Sequence, residues 1–136
     1  MTLTLHPDPQ LAVLIGAPHQ NEVAMHNDLA AMYAALRRRA LLAAEILCLE
    51  GPLDTHLLRT FLAAISQRIA TWPQGALFLY VTGHGFFTGE QVAEARVGIE
   101  LQPAAQLSSD YHLFWDEILE TLAVPPHVKL MLLPDH

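Results

Sequence analysis

An α/β fold built on a mostly parallel sheet with helices on both faces is what the order of segments predicts. Three observations carry this expectation. Short apolar runs without polar alternation, such as Leu11-Ala12-Val13-Leu14-Ile15, are the pattern of strands covered on both faces. Segments with apolar residues at helical spacing separate these runs, and turn residues punctuate the junctions. Strand, helix, strand, helix, strand, hairpin, helix, strand is then the order along the chain, which right-handed crossovers wind into layers.

The first run closes at Gly16, and residues 17–26 form a polar loop. Asn27 or Asp28 is placed to cap a helix whose Leu29, Met32, Tyr33 and Leu36 fall at i, i+3, i+4 and i+7. The cations Arg37, Arg38 and Arg39 suit its carboxyl end. The next apolar run, residues 44–49, stops at Glu50-Gly51-Pro52 and reads as the second strand. Asp54 or Thr55 caps the second helix, whose stripe comprises Leu57, Leu58, Phe61, Leu62, Ile65 and Ile69, with Leu53 positioned to staple Leu58. Trp72-Pro73-Gln74-Gly75 ends that helix.

The third strand spans residues 76–81 and breaks into Thr82-Gly83-His84-Gly85. Residues 86–107, with Gly89, Gly98 and Pro103, suggest a hairpin or an irregular excursion. A third helix is expected over residues 109–122, where Tyr111, Phe114, Trp115, Ile118, Leu119 and Leu122 follow helical spacing. Pro125-Pro126 closes it, and Val128-Lys129-Leu130-Met131-Leu132-Leu133 makes a last strand before Pro134-Asp135-His136. Met25, Met32 and Met131 read as core or near-core filler.

Composition bounds the partners. The chain has 136 residues, 52% of them hydrophobic, enough to bury a core. Fourteen acidic against seven basic side chains give a net charge of -7, which disfavours nucleic acid and anionic lipid. No apolar run approaches the roughly 20 residues that span a bilayer, and the first residues lack the pattern of a signal peptide. Cys48 is the single cysteine, so neither a disulfide framework nor a multi-cysteine zinc site is expected, and a cytoplasmic setting is the default. His6, His19, His26, His56, His112 and His127 are scattered without the spacing of a zinc site, and no metal or cofactor is expected.

In a doubly wound sheet the reactive groups collect at the carboxyl ends of the strands. That rule points to residues 16–27, to Gly83-His84-Gly85 and to Pro134-Asp135-His136. A histidine between glycines at a strand end lets a substrate come close; its imidazole can take a proton from a thiol, and the Gly85 N–H can help hold an oxyanion. Read from the residues alone, a tight turn carrying a solvated His84 is an equal alternative.

The blocks themselves resemble a known family. Leu77-Phe78-Leu79-Tyr80-Val81-Thr82-Gly83-His84-Gly85 is similar to the strand and Ser-Gly-His-Gly block of caspases and metacaspases. His26-Asn27-Asp28 resembles the Asn-Asp element of metacaspases, Asp116 to Leu122 the helix before the family's cysteine strand, and Lys129 to His136 that strand itself. The resemblance implies a caspase-like three-layer sandwich, with residues 1–136 as the larger catalytic portion, incomplete at its carboxyl end. It implies a cysteine peptidase with His84 as base and Gly85 beside it. The nucleophile is expected directly after His136, matching Asp-x-Cys, so the chain as given is expected to be inactive alone.

Asp135 and Asp28 are the substrate-binding carboxylates that the resemblance implies, favouring cleavage of a protein or peptide after Arg or Lys. The plainer reading of Asp135 is a strand-end residue capping a loop. Cys48, in an apolar strand, is expected to be buried, with a raised pKa, and unfit as the nucleophile. The C-terminal part of the same protein, or a second chain, is the expected partner at the open sheet edge. The alternative is a catalytically inactive caspase-like binding or regulatory subunit.

Overall fold

The computed structural model describes residues 8–19, 22–38 and 44–135. Along the chain run β1 (Gln10–Gly16), α1 (Val23–Arg38), β2 (Ala44–Glu50), α2 (Thr55–Ile69), β3 (Gly75–Thr82), β4 (His84–Thr88), β5 (Arg96–Glu100), β6 (His112–Phe114), α3 (Trp115–Leu122) and β7 (Val128–Asp135). A single 3₁₀ turn, Val92–Glu94, lies between β4 and β5. The main sheet has the order β2-β1-β3-β7 and all its pairs are parallel. A second sheet, β4-β5-β6, is antiparallel.

The continuous apolar runs are explained by cover on both faces. Leu11, Val13 and Ile15 of β1 pack with Leu58, Leu62, Ile65 and Ile69 of α2 and Ile118 and Leu122 of α3. The alternate residues Ala12 and Leu14 face the other way, against Leu29 and Leu36 of α1 and Tyr80 of β3. Helices therefore flank the sheet on both sides, in three layers. Burying a leucine or isoleucine side chain stabilises by about 1.5–3 kcal/mol, so these two apolar clusters hold the layers together. Asp54 caps α2 as expected, its carboxylate accepting from the Leu57 N–H at 2.7 Å. The staple residues Leu53 and Leu58 are both fully buried.

Two elements depart from the sequence expectation. Helix α1 begins at Val23, ahead of Asn27 and Asp28, so neither residue caps it. A backbone turn from the Glu22 N–H to the His19 carbonyl, 3.2 Å, precedes the helix instead. The helix expected over residues 109–122 is also shorter, because His112–Phe114 forms β6 against β5 with Ile99 opposite Leu113. Aromatic residues suit a strand as well as a helix, and here the strand lets Leu113 join Ile99 in the core. Residues 86–107 are the hairpin of β4 and β5, followed by a loop.

The chain passes from β3 to β4 through Gly83 alone. A Cβ at this buried position would press on Ile99 Cδ1 at 2.9 Å. The end of the Ile99 side chain would have to shift to admit one. Strand β7 is the last in its sheet, and contrary to the sequence expectation Met131 is exposed, together with Leu132 and Leu133.

Candidate active site

The carboxyl ends of the main-sheet strands are in register. Gly16 lies opposite both Glu50 and Thr82, and Thr82 lies opposite Asp135. The Gly83 N–H donates to the Asp135 carbonyl at 3.3 Å, and the Ala17 N–H to the Thr82 carbonyl at 3.0 Å. The carboxyl ends of β1, β3 and β7 therefore meet at one end of the sheet.

His84, half-buried at the first position of β4, is bonded through Nε2 to Glu22 Oε1 at 2.6 Å. A carboxylate only accepts, so Nε2 is the donating nitrogen, and in the neutral ring Nδ1 is then the one with the lone pair. Against the His84 ring lies His19, with centroids 3.9 Å apart and planes at 21°. His19 is tethered in turn, its Nε2 3.1 Å from the Glu100 carbonyl and 3.5 Å from the Glu100 carboxylate. Behind it, His112 is buried, with Nδ1 accepting from the Ser108 N–H at 2.9 Å and Nε2 bonded to Glu100 Oε2 at 2.8 Å. These side chains form one chain of contacts from β6 through β5 to the tip of β3. Beside His19 and Glu22 is a cleft of about 470 Å³, closed further by Pro18, Val23, Pro52, Gln102 and Pro103. That volume lies within the range of small-molecule and peptide-side-chain pockets.

The acidic residues expected at the substrate site converge on Tyr80. The Tyr80 hydroxyl donates to Asp135 Oδ2 at 2.7 Å. Burial first, then the bond to Asp135, pushes the phenol up from 10.0 to about 12, and the charge of Asp28 adds to the rise. Asp28 and Asp135 therefore act on one phenol, although Asp28 comes from α1 and Asp135 from β7. Gly85 is exposed and lies opposite Ile99 in the β4–β5 ladder. His136 lies outside the described residues.

Cys48 corrects one expectation and keeps another. It is exposed, because β2 is the outermost strand on its side of the sheet. Its thiol is nonetheless pushed above the usual range, by partial desolvation first and by the Glu50 charge second. It sits opposite Leu14, with β1 between it and β3, so it is no partner for His84.

Glu22, His19, Glu100 and Tyr80 are the residues that sequence reasoning passed over. His19 and Glu22 fall within the loop after β1 to which the strand-end rule points, and that rule was the available signal. Their pairing with His84 could not be read from spacing, since His84 lies 62 residues beyond Glu22 along the chain. Together they are also the one group among the described residues whose ligand atoms, all within 4.8 Å of one another, could hold a metal ion. No protein-family model matches the chain, and no curated protein is significantly similar to it in sequence.

Proposed function

We propose that this chain is the histidine-bearing larger portion of a cysteine endopeptidase of the caspase or metacaspase type, cleaving protein or peptide substrates after Arg or Lys. The observation that carries the reading is the parallel pairing of β3 with β7, Thr82 opposite Asp135. That register supports the reading, because the carboxyl end of β7 lies next to the end of β3 that leads into His84. A cysteine directly after His136 would give its thiol proton to His84 Nδ1, while Glu22 holds the opposite nitrogen and fixes the ring. The thiolate then attacks the scissile carbonyl, and the Gly85 N–H helps hold the oxyanion. The imidazolium returns the proton to the leaving amine, and water hydrolyses the acyl-enzyme.

Asp135, steadied by Tyr80, and Asp28 supply the negative charge that a basic substrate side chain requires. The open side of β7 is where the C-terminal part of the protein, or a second chain, would continue the sheet. Among the described residues no helix is long and apolar enough to cross a membrane. A single cysteine suits a reducing, cytoplasmic setting.

A second reading, a catalytically inactive caspase-like binding or regulatory subunit, is favoured by one observation. The single thiol of the chain, Cys48, sits on the outer strand β2, away from His84. The two readings separate on the parent reading frame. If it continues from His136 into cysteine, the extended protein should cleave Arg- and Lys-ended peptides, and His84→Ala should lower kcat/KM about 10²–10⁴-fold. A different continuation, or cleavage indifferent to His84, ends the peptidase reading.

A further inference from the structure

We propose that His19, Glu22 and His84 form a binding site for a divalent transition-metal ion of the zinc class, and that occupancy takes His84 out of service as a base. The donor set is two imidazoles and one carboxylate, the borderline nitrogen and oxygen ligands that suit such an ion and leave a position open for water. The three ligand atoms already lie within 4.8 Å of one another. Around a tetrahedral ion with bonds of about 2.1 Å, donors stand roughly 3.4 Å apart. To receive the ion, the His84 and Glu22 atoms, now 2.6 Å apart, must separate and the stacked His19 and His84 rings must turn apart so that both lone pairs meet at one point; the half-exposed side chains of His84 and Glu22 have the freedom to do so.

An independent feature points the same way. Histidine ligands are held by a second hydrogen bond from the other ring nitrogen to a carbonyl or carboxylate. His19 has that arrangement, with Nε2 engaged by Glu100 and Glu100 itself fixed by buried His112. With Nε2 so engaged, Nδ1 is the nitrogen that His19 would offer to an ion. The ligands also come from two directions, His19 and Glu22 from the loop after β1 and His84 from the β3–β4 junction. An ion would therefore tie the main sheet to the hairpin beside the cleft that His19 and Glu22 line.

The consequence for His84 follows from proton counting. In the metal-free site the ring proton is on Nε2, donated to Glu22, and Nδ1 can accept. For an ion to be ligated by Nε2 the proton must first leave it; through solvent that proton moves to Nδ1, and the lone pair uncovered on Nε2 goes to the ion. The neutral ring then has only a donor to offer on its other side and cannot take a proton from a thiol. This last consequence rests on the peptidase reading, whereas ion binding does not.

The test is a calorimetric titration of the 136-residue chain with ZnCl₂ in chelator-free buffer, repeated with CoCl₂ by visible absorption. One equivalent should bind per chain, with Co²⁺ showing the bands of a four-coordinate site. His19→Gln, Glu22→Gln and His84→Gln should each weaken binding at least tenfold while keeping the far-ultraviolet circular dichroism of the parent. His127→Gln, at the amino end of β7 and away from the site, should bind as the parent does. The absence of one-equivalent binding would overturn the site. So would folded triad variants that bind like the parent, or a loss in His127→Gln equal to theirs. Nitrogen-15 spectra of the zinc-loaded chain should place the His84 proton on Nδ1; a proton retained on Nε2 overturns the inactivation. An extended protein without peptidase activity leaves the titration untouched, so the two readings fail separately.

Discussion

Tyr80 shows how much one side chain can organise. Its phenol is buried, donates to Asp135 at 2.7 Å and has a pKa raised to about 12. The folded chain therefore holds this proton over a range, between about pH 10 and pH 12, where the unfolded chain has lost it. The stabilisation is complete below pH 10 and is lost as the pH rises through 12, and it amounts to on the order of 2 kcal/mol. Tyr80→Phe should flatten the dependence of urea stability on pH across this window. A mutant whose stability falls with pH as steeply as the parent's would place the proton elsewhere. On the peptidase reading, the same substitution releases the Asp135 carboxylate and should raise KM for Arg-ended peptides more than it lowers kcat.

At the scale of elements, local signals were legible where one competing force was absent. Asp54 had only its own helix to serve, and it caps α2 as the sequence indicates. Asp54→Ala should lower unfolding stability by about 1 kcal/mol, read from the urea midpoint at unchanged slope; no shift would mean that the cap contributes nothing. Helix α1 was legible in its stripe, through Leu29 and Leu36, but not in its start, because residues 23–26 extend it ahead of Asn27 and Asp28. The segment Tyr111 to Phe114 satisfied helical spacing and strand propensity together. Pairing with β5 decided it, and that pairing joins residues far apart in the chain. The candidate site was readable in the same measure. The strand-end rule located His84 and Asp135 at one edge, while the partners of His84 required the β1 loop to fold back onto the β3 tip.

For the molecule as a whole, the main sheet ends on β7 with its outer backbone unpaired among the described residues, and Met131 and Leu133 are 61% and 45% exposed. An apolar strand edge is a template for another strand. The 136-residue chain should therefore associate increasingly with concentration in sedimentation velocity runs. Leu132→Lys should reduce the associated fraction several-fold; association unaffected by the lysine would move the contact to another surface. On the proposed reading, the native occupant of this edge is the C-terminal part of the protein, and its covalent attachment should abolish the self-association.

The near-parallel contact of His19 and His84 reaches beyond chemistry into observation. Each imidazole lies in the shielding cone of the other, so their carbon-bound protons resonate upfield of those of a solvated histidine. Anything that parts the two rings, whether an ion, a peptide or a neighbouring loop, cancels this ring-current shift. The pair is thus a built-in magnetic reporter beside the cleft, readable in the intact chain without a substrate.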